Sequence, residues 1–417
     1  MATYTGTEND DILVGTNNAD LLTAGNGNDT IFANEGDDSA DGGNNDDTLY
    51  GWFGNDTLLG GTGNDILGGD DGNDQLNGNN GNDSLYGAQG NDELAGGNGD
   101  DVLIGGIGSD VVSGGNQRDF IHTDVGNDSI RAGQGEDTVY SGQGNDTLYG
   151  NGQDDFLVSE QGNDMVYGGA GQDSVFVDAG DDYADAGDGH DIMWGWTGDD
   201  TLLGGAGNDI IGGDAGNDSL AGGDGQDQIS GGFNNDIVRG GTGNDDLTGD
   251  YGNDRVYGDS GNDFVDGGFD NDTLYGGSGN DRISGEGDDD VLYGQSGNDL
   301  LAGGEGSDTL FDSDGQDTLF GGADADMFVF THRAGNTTSN TLRIEDYQDG
   351  IDTILIRLMD TDNDQFANSN ALFSQQDGST IIAPFVNDST DLISVNGLFN
   401  FSVSQNNGDG YTELVIS

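Results

Sequence analysis

Aspartate recurs every nine residues from Asp11 to Asp326, thirty-six times without a break in phase. A carboxylate brings both an oxygen ligand and a negative charge, so a row of them suits hard divalent cations. The chain carries 81 acidic residues against eight arginines and no lysine, a formal net charge of −73. Such a charge would by itself keep a chain unfolded. Divalent cations are the natural counter-charge. Nucleic acid is a poor partner, because phosphate binding needs a basic surface. Catalysis has little to stand on. His122, His190 and His332 share no ligand spacing, and the chain has neither H-E-x-x-H nor G-x-S-x-G. A glycosidase pair would need a carboxyl raised in a pocket, whereas register already accounts for nearly every carboxylate. The chain therefore reads as a non-enzyme. Without cysteine it has no disulfide and no thiolate metal site.

The elements that position these carboxylates follow from the same period. Two residues after every in-phase Asp the chain is apolar, from Leu13 to Phe328. Between these points lie glycine-rich turns, and glycine totals 82 residues. The spacing predicts a strand of about three residues per unit, such as Thr57-Leu58-Leu59, with the central side chain inward. Two nonapeptides then make one coil, with strands in two parallel sheets and turns on opposite edges. Thirty-six units give about eighteen coils and a rod of about 85 Å at 4.8 Å per coil. The expected fold class is all-β, a parallel β-roll (β-solenoid) with a small C-terminal β cap. The single proline, Pro384, lies beyond the repeats, as unbroken parallel sheets require.

Residues Gly60-Gly61-Thr62-Gly63-Asn64-Asp65-Ile66-Leu67-Gly68 follow the pattern G-G-x-G-x-D-x-U-x, with U apolar. The repeat resembles the RTX (repeat-in-toxin) calcium-binding β-roll. The resemblance implies Ca²⁺ held between successive turns by backbone carbonyls and the Asp carboxylate. On the first side of the roll it implies ligands at Asp29, Asp47, Asp65, Asp83, Asp101, Asp209, Asp227, Asp245, Asp263, Asp281 and Asp299. On the second side it implies Asp56, Asp74, Asp92, Asp146, Asp164, Asp200, Asp218, Asp254 and Asp308. If every gap held an ion, about 34 Ca²⁺ would bind, and their charge would nearly cancel that of the chain.

Three segments are expected: a lead-in at 1–8, the roll at 9–330, and a capping domain at 331–417. Two stretches, 321–330 and 344–354, resemble the C-terminal module of serralysin-like proteins. That resemblance implies export by a type I system through an uncleaved C-terminal signal. It fits the lack of an N-terminal signal and of any apolar run long enough to span a membrane. A longer repeat overlies the short one. Residues 51–70 recur at 195–214, an offset of sixteen nonapeptides, which places Trp52 and Trp196 on the same edge about 38 Å apart.

The two sides differ. Side one holds Asp11, Asp29, Asp47 and every eighteenth residue after; side two holds Asp20, Asp38, Asp56 and their successors. Six residues after each Asp, at the expected turn tip, side two carries small or polar residues. Side one carries Phe53, Ile107, Val125, Phe233, Tyr251 and Phe269 there, with Trp52 and Trp196 one position earlier. Outward positions of side one between 120 and 194 include Phe120, Tyr140, Phe156, Phe176 and Trp194, over five consecutive coils. In these coils Thr123, Ser141, Ser159 and Val177 replace a turn glycine, so altered Ca²⁺ sites are expected on that edge. Apolar residues at such positions imply contact. The expectation is a secreted, Ca²⁺-dependent structural protein, a homo-oligomer or polymer, that assembles into a surface layer, filament or matrix outside the cell. The alternative is a cell-surface adhesin or glycan-binding module using the aromatic strip; a third is a calcium-loaded fragment of an enzyme whose catalytic chain lies elsewhere. Thr62, Thr197 and Thr242 are too sparse for the flat threonine arrays of ice-binding solenoids.

Overall fold

The computed structural model describes residues 2–312, 314–333, 341–346, 348, 352–359, 372–376, 379–383, 392–396, 401–404 and 411–416. The chain divides into two compact units, Met1–Ala206 and Gly207–Ser417. Each is a parallel β-solenoid. In the first unit the side-one strands Thr48–Phe53, Ile66–Asp71, Ser84–Gln89 and Val102–Ile107 pair in succession, Leu49 with Leu67 and Leu67 with Leu85. The side-two strands Ser39–Asn44, Thr57–Thr62 and Gln75–Asn80 do the same. The second unit repeats the arrangement, with Gln228–Phe233, Asp246–Tyr251 and Phe264–Phe269 on side one and Ser219–Asp224, Ile237–Thr242 and Arg255–Ser260 on side two. Every partner is eighteen residues away, so two nonapeptides make a coil.

Strands are longer than the three residues expected. Thr57–Thr62 and most others span six, from the residue after Asp through the former turn tip. The strand persists because the position five after Asp bends in the left-handed region (Gly61 φ 115°, Asn79 φ 75°) without leaving the ladder. Phe53, Tyr251 and their equivalents are thus ladder residues rather than tips.

The interior follows the period of two. Leu58 and Leu76 on side two and Leu67 on side one are at most 1% exposed and line the interior. Each such burial is worth about 1.5–3 kcal/mol. Gly60, four residues after Asp56, also faces in, as does Asp56 itself. Asp, apolar residue and glycine therefore share one face of each strand. The in-phase carboxylates from Asp20 to Asp326 are all buried.

Parallel pairing runs on past residue 330. Gln316–Ala323 pairs with Thr341–Ile344, and Met327–Arg333 with Thr353–Met359. Antiparallel strands follow: Tyr411–Ile416 lies between Thr353–Met359 and Phe401–Ser404, and Leu392–Asn396 pairs with Ser379–Ala383. This change of direction covers strand edges that would otherwise be open.

Candidate metal centre

All twenty Asp implied as ligands are buried, none more than 3% exposed. Each coil uses one carboxylate oxygen to fix its register. Asp47 Oδ1 accepts the Asp29 N–H at 2.7 Å, Asp65 Oδ1 accepts that of Asp47 at 2.8 Å, and Asp101 Oδ1 that of Asp83 at 2.8 Å. The other oxygen is different. From Asp29 to Asp182, and again from Asp227 to Asp326, Oδ2 of every in-phase Asp is buried without a hydrogen-bond partner.

Those oxygens face more oxygen. A Cβ placed on Gly60 would lie 2.5 Å from Asp65 Oδ2 and 2.9 Å from the carbonyl oxygen of Gly78, one coil on. The same point beside Gly42 meets Asp47 Oδ2 at 2.5 Å and Gly60 O at 2.8 Å; beside Gly240 it meets Asp245 Oδ2 at 2.4 Å and Gly258 O at 2.9 Å. A carboxylate and a carbonyl thus converge where glycine leaves space, with no donor between them. Burying an unpaired carboxylate costs on the order of several kcal/mol. A hard cation removes that penalty, and oxygen-only ligation is what Ca²⁺ takes. The residues fit the ion. Among the described residues no three acidic or histidine side chains cluster as a metal site, so backbone carbonyls must supply much of any shell.

Burial also moves the acidities. It is the main cause that pushes Asp47 up to about 6, Asp65 to about 7 and Asp119 to about 8, with neighbouring Asp charges adding to it and the amide hydrogen bond opposing it. The first turns behave otherwise. Asp20 Oδ2 accepts the Thr16 hydroxyl at 2.7 Å and the Thr16 N–H at 2.8 Å, and the hydroxyl leads in holding its acidity below the usual range. The Thr7 N–H and hydroxyl both donate to Asp11 Oδ2. Threonine caps replace a cation there.

Three of the residues that replace a turn glycine line the interior. Thr123, Ser141 and Ser159 are fully buried on side-one strands, and their hydroxyls form an internal ladder. Thr123 donates to Ser141 O at 2.9 Å, Ser141 to Ser159 O at 2.8 Å, and Ser159 to Val177 O at 3.1 Å. They lie beside the side-two carboxylates Asp128, Asp146 and Asp164, where each hydroxyl works against the upward shift that burial causes. A residue four after one Asp touches the next Asp, which belongs to the opposite side. Replacing Ser141 by Ala is expected to cost about 1 kcal/mol, read as a lower urea midpoint in Ca²⁺.

Sequence reasoning left several equivalent carboxylates aside. Asp110, Asp119, Asp155 and Asp173 have the same orphaned Oδ2 as their neighbours; period alone would have found them. Asp352 Oδ1 accepts the Asp326 N–H at 3.2 Å, and Asp346 accepts the N–H groups of Gly321 and Gly322 at 3.0 and 2.9 Å. The signal at Asp352-Thr353-Ile354 is the familiar Asp–x–apolar triplet, displaced out of phase.

The aromatic residues fall into separate groups. Phe120, Tyr140, Phe156 and Phe176 form a zigzag with ring centroids 6.0, 6.1 and 5.3 Å apart, and Trp194 is the ladder partner of Phe176. Trp52 and Phe53 lie on earlier coils, 47% and 52% exposed. In the second unit Phe233, Tyr251 and Phe269 stack at 5.1 and 4.9 Å. Trp52 and Trp196 sit at φ 79° and 68°, where most equivalents are glycine or short polar residues. A bulky residue in the left-handed region is strained, and such strain often accompanies function.

The profile of the RTX calcium-binding nonapeptide repeat (4 copies) matches in overlapping blocks from 5–40 to 293–328. No curated protein sequence matches the chain. Among solved structures, a hyperactive, Ca²⁺-dependent, β-helical antifreeze protein from an Antarctic bacterium is similar at 19% identity, over 66% of this chain and 84% of that one, with a TM-score of 0.25.

Proposed function

Because the chain belongs to the RTX calcium-binding nonapeptide repeat family, we propose that it is a secreted structural protein that folds on Ca²⁺ outside the cell and assembles through side one. Bound Ca²⁺ would supply positive charge to the buried oxygens. The chain's own residues do the rest: Oδ1 of each Asp sets the register of the preceding coil, Oδ2 and a glycine carbonyl face the ion, and the apolar row fills the interior. At low Ca²⁺ the carboxylates repel one another and the chain stays open for export, through a signal in its C-terminal segment. Ion binding then becomes folding free energy.

One observation carries the contact face. In the first unit, among the described residues, twelve large apolar side chains are exposed on side one and three on side two. Both sides obey the same repeat, so the repeat alone does not account for that difference. The exposed side-one residues include Phe53, Ile107, Phe120, Phe156 and Trp196. Exposed apolar surface of this kind marks interaction sites. An adhesin reading draws support from Trp52 and Trp196, whose half-exposed indoles suit stacking on a sugar. The stacked rings of Phe233, Tyr251 and Phe269 suit it less, because their faces are already used against one another.

Electron microscopy of the Ca²⁺-loaded chain tests the proposal. Ordered sheets or filaments are expected from the wild type, and their loss from the F156S/W194S double variant with β-structure retained. A wild type that stays monomeric in Ca²⁺ and binds glycans would move the assignment to the adhesin.

A further inference from the structure

The position four residues after each in-phase Asp faces the interior and is nearly always glycine or alanine; at 312 it is Asp. Asp312 is 3% exposed, and neither of its carboxylate oxygens has a hydrogen-bond partner. Its strand, Thr309–Asp312, pairs Leu310 with Leu292 and Phe311 with Tyr293 on one side, and Asp312 with Phe330 on the other. At the equivalent Gly294 and Gly303 a Cβ would meet the next Asp's Oδ2 at 2.7 and 2.2 Å. At 312 a carboxylate side chain stands in that place. The strand spans four residues, and Ser296 and Asp314 form an isolated bridge. Val177 follows another short strand, Ser174–Phe176. Valine brings only methyl groups, however, whereas Asp312 brings a second carboxylate to the turn of Asp317.

Asp317 is itself buried. Its Oδ1 accepts the Asp299 N–H at 2.8 Å, and its Oδ2 has no partner. The turn therefore holds three orphaned carboxylate oxygens on two side chains. One shared proton would serve two of them, one as donor and one as acceptor, and leave the third. A divalent cation serves all three at once. We propose that Asp312 and Asp317 form a two-carboxylate Ca²⁺ site, distinct from the one-carboxylate cradles and the tightest in the chain. Added ligand charge raises affinity for Ca²⁺, and carbonyls and water complete its six to eight oxygens. The site anchors the C-terminal end of the repeats, where the eighteen-residue spacing gives way to twenty-six between Asp326 and Asp352. The inference rests on the reading that the roll binds calcium.

Equilibrium dialysis of the full chain against radioactive Ca²⁺, buffered by chelators of graded strength, tests it, with circular dichroism on the same samples. The wild type is expected to keep one ion at a free Ca²⁺ about tenfold below that which half-fills the rest. Asp312→Gly, which restores the common cradle, is expected to lose that ion while folding and filling the others as the wild type does. Asp312→Asn, which keeps the volume, is expected to weaken it by about tenfold and gives the same readout should the glycine variant fail to fold. Retention of the tight ion in both variants overturns the inference, as does tighter binding in Asp312→Gly, which would make Asp312 a protonated liability. A wild type that binds no Ca²⁺ overturns the calcium reading itself, an outcome separate from either.

Discussion

Stripping Ca²⁺ with a chelator at pH 8 is expected to abolish the β-structure of the chain, and returning it to restore the fold cooperatively. The cause lies in the buried Oδ2 atoms from Asp29 to Asp182 and from Asp227 to Asp326, which have no donor and face carbonyl oxygens. Acid should act in the opposite sense on the ion-free and loaded forms. Burial raises the folded acidities of Asp47, Asp65 and Asp119 to about 6, 7 and 8, against about 4 in an unfolded chain. A raised carboxyl favours the folded state in its protonated form. In chelator, that stabilisation is fully present below about pH 4 and is lost as pH rises through the range 6 to 8. With Ca²⁺ present, protons compete for the same oxygens, so the Ca²⁺ midpoint should fall as pH rises across that range. Far-UV circular dichroism at pH 5, 6.5 and 8, in chelator and in Ca²⁺, reads both. A chain as folded in chelator at pH 8 as in Ca²⁺ would show that the carboxylates need no cation.

A single methyl group should separate two glycines of the same coil. Gly144 has φ 140°, and a Cβ there would lie 1.3 Å from the carbonyl oxygen of Gly126. Nothing flexible can yield, because the obstacle is the backbone of the preceding coil, which hydrogen-bonds the same segment (Gly126 N–H to Gln143 O, 2.8 Å). Gly144→Ala is expected to destabilise the Ca²⁺-loaded protein by about 4 kcal/mol or more. Gly152, eight residues on, lacks a left-handed φ, and its Cβ would meet only the Gln134 side chain at 3.4 Å. Gly152→Ala is expected to be neutral, or stabilising by about 0.4–1 kcal/mol through a less flexible unfolded chain. Urea titrations in saturating Ca²⁺ compare them. Equal midpoints would mean that the coils separate enough to accept a side chain, and would undo the close-approach argument.

Much of the architecture was legible in the period. An Asp every nine residues with an apolar residue two later specified two nonapeptides per coil, an eighteen-residue register and an apolar interior row, because strand side chains alternate strictly. The family resemblance, read from nine residues at Gly60–Gly68, holds along 5–328. Other features needed the folded chain. Asp65 and Leu67 lie two apart and so share a face, yet the carboxylate reads as a turn residue until the six-residue strand is seen to begin right after it. Which oxygen of Asp65 is used and which is orphaned depends on the Asp47 amide of the coil before. That Ser141 on one side modifies Asp146 on the other follows from the turn that brings position four of one unit against the next carboxylate. The sequence names the ligands because they are periodic. Only tertiary structure decides which of their atoms lack a partner, because that depends on neighbours one coil away.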